Sequence, residues 1–301
     1  MRSRPYAVYD VFTSEPLGGN PLAVVFDSAG LDTGLMQRIA REFNISETVF
    51  VAAPENPAHT ASIRIFTPGV KLPFAGHPTV GTAIALAERT GSATAGILVL
   101  EEKVGPVRCA VSRDAAATFA EFDLPRRSQK LAFTAEPAAV AAALDLDPQD
   151  IGFENHRIGL WSAGVPYVTV PVSGLAAAGR AKANADLWLA LLADTGGLVA
   201  APYVYCRESI GHDCAFHARM FAPWDGIAED PATGSALAAL TGALLAYDQP
   251  RDGASLLWVE QGVEMGRPSR MRLEMEIAGG AATALRIGGN AIKVAEGTLF
   301  V

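Results

Sequence analysis

Two passages of this 301-residue chain repeat one another, and the repetition restricts the fold more than any other feature. "SIRIFTP" from Ser62 lies over "HARMFAP" from His217, with Arg64 on Arg219, Phe66 on Phe221 and Pro68 on Pro223, each pair 155 residues apart. Beyond a turn two residues shorter in the second copy, the spacing becomes 153. His77 then falls on Asp230, Pro78 on Pro231, Gly81 on Gly234, Thr82 on Ser235 and Ala83 on Ala236. Upstream, "NPLAVV" from Asn20 resembles "VPYVTV" from Val165, with Pro21 matching Pro166. The period is far too long for a solenoid, so two similar domains are expected.

Each half runs through the same kinds of pattern. "YAVYDVF", "LAVVF", "TVFVAA" and "ASIRIF" alternate as strands do. A short amphipathic helix interrupts them, with Leu31, Leu35, Ile39 and Phe43 on one stripe. A proline-bearing turn then opens a long helix of small residues, "PTVGTAIALAERT" in one half and "PATGSALAALTGALLAY" in the other. Such a helix can be approached closely on all sides, which suits a central helix wrapped by a sheet. "LPRRSQK", residues 124–130, reads as the linker, and a helical stretch, "PAAVAAALDLD", follows it. The expected class is α+β, with an N-terminal domain over 1–125 completed by 284–301 and a C-terminal domain over 135–283. The closing strands, "ALRIGGNAIKVAEGTLFV", have no counterpart in the first copy.

Composition narrows the function. Half the residues are hydrophobic and 19% are charged, as in folded globular proteins. A net charge of −8 argues against nucleic acid or an anionic membrane as partner, since either calls for a basic face. A small anionic substrate needs only local donors. The opening "MRSRPYAVYDVF" has no signal-peptide core, and "SALAALTGALLAY" is too short to span a bilayer, so a cytoplasmic protein is expected. Cys109, Cys206 and Cys214 show no metal spacing and read as buried small hydrophobes, with a Cys206–Cys214 pair as the alternative. His59, His77, His156, His212 and His217 form no HxH or HExxH pattern, and Gly18–Gly19 lack the spacing of a nucleotide fingerprint. Neither metal nor cofactor is expected.

The repeated turn has two readings. A helix N-terminus presents free N–H groups and a positive dipole end, and both copies bring glycine and a hydroxyl there: Gly81 with Thr82, and Gly234 with Ser235. Gly and Ser also serve packing and capping alone. That each copy carries a titratable residue just before its proline, His77 or Asp230, favours a shared substrate site. Glu47, in "NISETVFV", is placed at the end of the first helix and just before a buried strand. There it is either an exposed residue closing the helix or a partly desolvated general base. The 155-residue offset carries Glu47 onto Pro202, leaving one carboxylate of this kind, suited to both removing and returning a proton.

"GGNPLAVV", "SETVFV", "FAGHPTVGTA" and "EDPATGSA", with the glycine-rich closing strands, resemble the PhzF-like proteins of phenazine biosynthesis, in order and over essentially the whole chain. The resemblance implies a diaminopimelate epimerase-like fold: two pseudo-symmetric domains, each a curled, mostly antiparallel sheet around a central helix. It also implies a homodimer and a cofactor-free active site in the cleft between the domains. The named family member isomerises a dihydro-hydroxyanthranilate. By the same resemblance Glu47 carries a proton from one ring carbon to another, while His77, Asp230 and Ser235 place the substrate and move protons. Backbone at Gly76 and Gly234 would hold its carboxylate, and Ser46 would contribute to binding. Asn20 either caps a turn or, as the resemblance implies, reaches the pocket. Lys71 departs from the pattern, standing where an acidic residue is expected before "LPFAGH".

The expected function is therefore cofactor-independent proton transfer between carbons of a small carboxylate-bearing, cyclic or unsaturated metabolite. One alternative is a two-base amino-acid racemase or epimerase on the same scaffold. Such enzymes carry a cysteine in each helix-opening turn, and here those turns hold no sulfur. The other is a metabolite-binding protein that keeps the fold without turnover.

Overall fold

Strand order repeats along the chain as the sequence does. The computed structural model describes residues 2–91, 96–113, 117–193 and 195–301. The chain forms two compact units, Met1–Pro125 with Ile287–Val301, and Arg126–Arg286.

The first unit opens with β1 (Ser3–Val11), β2 (Asn20–Val25), α1 (Thr33–Phe43), β3 (Glu47–Ala52) and β4 (Ala61–Phe66). It continues through β5 (Lys71–Leu72), α2 (Gly76–Arg89), β6 (Gly96–Glu102), β7 (Gly105–Arg113) and β8 (Thr118–Asp123). β1 and β2 pair antiparallel, β2 and β3 parallel, β3 and β4 antiparallel, β4 and β6 parallel, and β6 to β8 antiparallel. β5 adds a short antiparallel rung to β4.

The second unit has β9 (Gln129–Leu131), α3 (Pro137–Ala143), β10 (Gly159–Ser162), β11 (Pro166–Pro171), α4 (Leu175–Arg180), α5 (Ala185–Leu191) and β12 (Ala201–Cys206). After these come β13 (Phe216–Ala222), β14 (Ile227–Asp230), α6 (Gly234–Tyr247), β15 (Gly253–Gln261), β16 (Ser269–Ala278) and β17 (Ala281–Phe300). From β10 the pairing is antiparallel to β11, parallel to β12, antiparallel to β13, parallel to β15 and antiparallel to β16. The alternation from β1 to β7 is thus written again, with β14 on β13 where β5 sits on β4. The stretch 124–130, expected as linker, already contributes β9, which pairs with β10. The end of β17 has no equivalent in this scheme: it pairs with β1 and β8 and closes the first unit's strands into a ring.

Local chemistry shows why the elements stop where they do. The Asp32 side chain accepts from Leu35 N and opens α1, and Asn44, left-handed at φ 49°, ends it with its N–H on the Ala40 carbonyl. Leu31 therefore precedes the helix, and the fully buried stripe is Met36, Ile39 and Ala40. Leu31 still enters the same core, beside Phe50 and Phe66.

Small residues in the two long helices have a packing cause. α2 touches β1, β2, β3, β6, β7 and β8, and α6 touches β9, β10 and β11. A Cβ on Gly81 would lie 2.5 Å from Leu22 Cδ2 and 2.7 Å from Val11 Cγ2. Gly81→Ala gains helix propensity of about 1 kcal/mol, but overpacking that contact costs about 1–3 kcal/mol. A net loss of stability is expected in urea denaturation; a gain would mean that Leu22 and Val11 yield freely.

Candidate functional site

Pro78 and Pro231 match in sequence, yet the two turns fold differently. α2 begins at Gly76, so His77 lies in its first turn and Pro78 is its third residue. α6 begins at Gly234, three residues past Pro231, and Asp230 is still the last residue of β14. Gly76 and Gly234 are thus the first helical residues, while Gly81 and Thr82, expected at a helix tip, sit in the second turn of α2. For Gly81 the close contact with Leu22 and Val11 is sufficient reason.

In the first unit Glu47 opens β3 rather than closing α1, which ends at Phe43. Parallel pairing puts Glu47 beside Leu22 of β2, two residues along from the fully buried Asn20. Ser46, half-buried, immediately precedes it. Glu47 Oε2 lies 3.0 Å from His77 Nε2, with side chains only 13% and 5% exposed. Both atoms are buried, and their approach lacks the alignment of a hydrogen bond; neither has another hydrogen-bond partner among the described residues. Native proteins rarely leave such groups unsatisfied unless a reaction or ligand uses them. A carboxylate and an imidazole so placed can exchange a proton with each other or with a third group.

In the second unit Asp230 is buried, and the Thr233 hydroxyl donates to its Oδ2 at 2.5 Å. Gln261, at the end of β15, holds the turn: its Nε2 donates to the Asp230 carbonyl at 2.7 Å and the Thr233 hydroxyl at 3.0 Å, and its Oε1 accepts from Thr233 N at 3.2 Å. Gly262 permits this approach, because at φ 76° an added Cβ would lie 2.6 Å from the Pro231 carbonyl oxygen. The Ser235 and Tyr167 hydroxyls are hydrogen-bonded at 2.7 Å. Tyr203 is fully buried with its hydroxyl unpartnered among the described residues, and burial, then Tyr167 and Asp230, raise its pKa. Sequence reasoning missed Gln261, Tyr167 and Tyr203. Thr233 was at least visible inside "DPATGSA", but nothing in the pattern links Gln261 to a turn 31 residues earlier.

The remaining candidates sort themselves by environment. All three cysteines are buried and free, so Cys206 and Cys214 are not paired. Burial is the main cause that pushes the Cys206 thiol up to about 12 and the Cys214 thiol to about 11, and it raises Cys109 as well. One cluster among the described residues, Glu154, His156 and Asp248, has the donors for a metal ion. The Arg207 guanidinium already bridges it, 2.9 Å from Glu154 Oε2 and 2.6 Å from Asp248 Oδ1. Among the described residues no helix is long and apolar enough to cross a membrane.

Comparison with known proteins gives this architecture a class. The family model of phenazine biosynthesis-like proteins, PhzC-PhzF, matches residues 9–297, and the chain belongs to that family. An uncharacterized isomerase of Mesorhizobium japonicum is 59% identical over 302 residues, spanning all of both chains. The trans-2,3-dihydro-3-hydroxyanthranilate isomerase of Pseudomonas aeruginosa is 38% identical over 297 residues, 98% of this chain and 99% of its own. The crystal structure of the Bacillus anthracis phenazine biosynthesis protein, PhzF family, matches with a TM-score of 0.90 at 29% identity, covering all of both chains.

Proposed function

We propose that this protein is a cofactor-independent isomerase that moves a proton between carbons of a small carboxylate-bearing, cyclic or unsaturated metabolite. The observation that carries this reading is the buried contact of Glu47 Oε2 with His77 Nε2 at 3.0 Å, made with no hydrogen bond on either atom among the described residues. The Glu47 carboxylate takes a proton from carbon next to a conjugated system, and the electron pair left behind delocalises into that system. The same group, now a carboxylic acid, returns the proton to a distant carbon, so no redox partner or leaving group is required. His77 and Asp230 orient the substrate and handle protons on its amino or hydroxyl group. Asn20, Ser46 and Ser235 bind its polar groups, and backbone N–H groups at Gly76 and Gly234, the first residues of α2 and α6, receive its carboxylate.

Family membership and the Pseudomonas aeruginosa relative support an isomerase acting on a dihydroaromatic acid. The repeated strand order supports the diaminopimelate epimerase-like reading of the fold, and the resemblance extends to a homodimer; the cytoplasmic expectation rests on the sequence patterns alone. The test is incubation in deuterated water with a panel of dihydroaromatic acids and cyclic amino acids. Migration of the double bond is expected, with label entering the newly protonated carbon to the extent that the Glu47 acid exchanges its proton with solvent between the two transfers; neither isomerisation nor exchange, alongside measurable ligand binding, would favour a binding protein.

A two-thiol racemase reading has little support, because burial keeps all three thiols protonated at neutral pH. Thiol-blocking reagents are expected to leave turnover unchanged. Complete inactivation, together with retention of fold by circular dichroism, would restore the racemase.

A further inference from the structure

A groove of about 470 Å³ on the first unit is lined by β4, by β5 and by the turn joining β6 to β7. Neither Glu47 nor His77 belongs to it. Three cations do: Arg64, Lys71 and Lys103. Lys71 is the residue that departs from the family pattern. Lys71 and Lys103 form no ion pair among the described residues, and Arg64 is held by neutral groups only, its Nη2 donating to the Leu31 carbonyl at 3.0 Å. Burial, then Arg64 and Lys103, lower the pKa of Lys71, so its ammonium feels the two other charges without relief.

The acids on the same wall do not supply that relief. Glu101 is committed elsewhere, accepting from Glu55 N at 2.7 Å, Asn56 N at 2.8 Å and the His59 ring at 2.8 Å. Glu102 is buried; Thr79 donates to its Oε1 at 2.8 Å, and its Oε2 has no hydrogen-bond partner among the described residues. Burial pushes its pKa up to about 8, so at neutral pH it is a carboxylic acid and adds no negative charge to the wall. Glu55 is the one wall carboxylate left exposed to solvent.

We infer that this groove is a binding site for a small oxyanion, carried by a carboxylate- or phosphate-bearing metabolite, with Lys71, Lys103 and Arg64 facing its charge. Its volume lies in the usual range for small-molecule sites. Converging donors of positive charge match an oxygen-rich anion. The occupant's contacts would reach the turn bearing His77 along one covalent route, through residues 72–75 from Lys71. The site does not depend on the isomerase reading.

Calorimetric titration of the full-length protein with inorganic phosphate and, separately, with malonate tests it, at ionic strength held constant with chloride. Saturable binding of at least one probe is expected at about millimolar affinity, and the tighter probe identifies the oxyanion class. Lys71→Glu and Lys103→Glu are expected to weaken it by about tenfold each. Glu102→Gln, a change at a buried side chain that leaves the three cations in place, should bind within about threefold of the wild type. Lys71 and Lys103 are exposed, so both variants should fold, and Lys71→Gln serves as the milder second variant. No saturable binding of either probe, heat equal to that of chloride alone, or unchanged affinity in all lysine variants would overturn the assignment.

Discussion

Glu47→Gln is expected to lower turnover by about 10²–10⁴-fold while leaving ligand affinity within a small factor. Glutamine keeps the shape and polarity of the side chain at the start of β3 but cannot accept a proton. The loss should therefore fall on kcat rather than on KM, the signature of an interaction used only in the transition state. Folding should not suffer. Oε2 makes no hydrogen bond that the variant would forfeit, and the change removes a charge from a side chain only 13% exposed. Thermal denaturation of the variant near the wild-type midpoint is the control. Deuterium uptake by the substrate gives the decisive measurement, since exchange at the first carbon requires only abstraction there and return of a solvent-derived deuteron, without completion of the double-bond shift. If the variant exchanges label at the wild-type rate, Glu47 is not the base, whatever happens to binding.

The helices that carry His77 and Ser235 and the strand that Glu47 opens were legible in the sequence for a physical reason. Duplication copies scaffold, and scaffold is written in alternation, proline and small residues. β2 and β11 both follow from "NPLAVV" and "VPYVTV", and both make a parallel pairing with the next long strand. The exact helix starts were not legible. A proline is tolerated anywhere in a first helical turn, because its missing N–H is one of those with no intrahelical partner. Pro78 could therefore lie inside α2 while Pro231 lies ahead of α6. That small difference makes His77 helical and leaves Asp230 on a strand. Gln261 was not legible at all. Its amide closes the Asp230 turn from β15, and only tertiary pairing brings those residues together. The groove around Lys71 lies between these cases: the odd residue stood out in the sequence, but its neighbours Arg64 and Lys103 needed coordinates.

Stability of the second unit is expected to fall by about 3 kcal/mol between pH 6.5 and pH 9, and His217 is the cause. Its imidazole is fully buried on β13, with Nδ1 2.8 Å from Glu260 and Nε2 3.0 Å from Glu264. Burial by itself would lower its pKa, but the hydrogen bonds and charges of Glu260 and Glu264 outweigh it and raise the pKa to about 9. A group whose pKa rises on folding stabilises the folded state while it is protonated in both states. That contribution is complete below the unfolded value near 6.5 and disappears as the pH climbs through about 9. The two carboxylates shift the other way, below their ordinary range. Their share is present above the usual carboxylate pKa and is lost in acid, so the triad is most stabilising in the mildly acidic window between. Both shifts describe one interaction and are counted once. Urea denaturation at pH 6.5 and pH 9 measures the slope. His217→Gln should remove the slope and cost about 3 kcal/mol at pH 6.5, because the buried Glu260 loses its cation, while the more exposed Glu264 keeps Arg219 at 3.7 Å. If that variant does not fold, Glu264→Gln, which leaves the Glu260 contact in place, should retain roughly half of the wild-type slope. A wild-type stability that stays flat from pH 6.5 to 9 would mean that His217 is neutral in the folded protein, with its proton shared out to one of the glutamates.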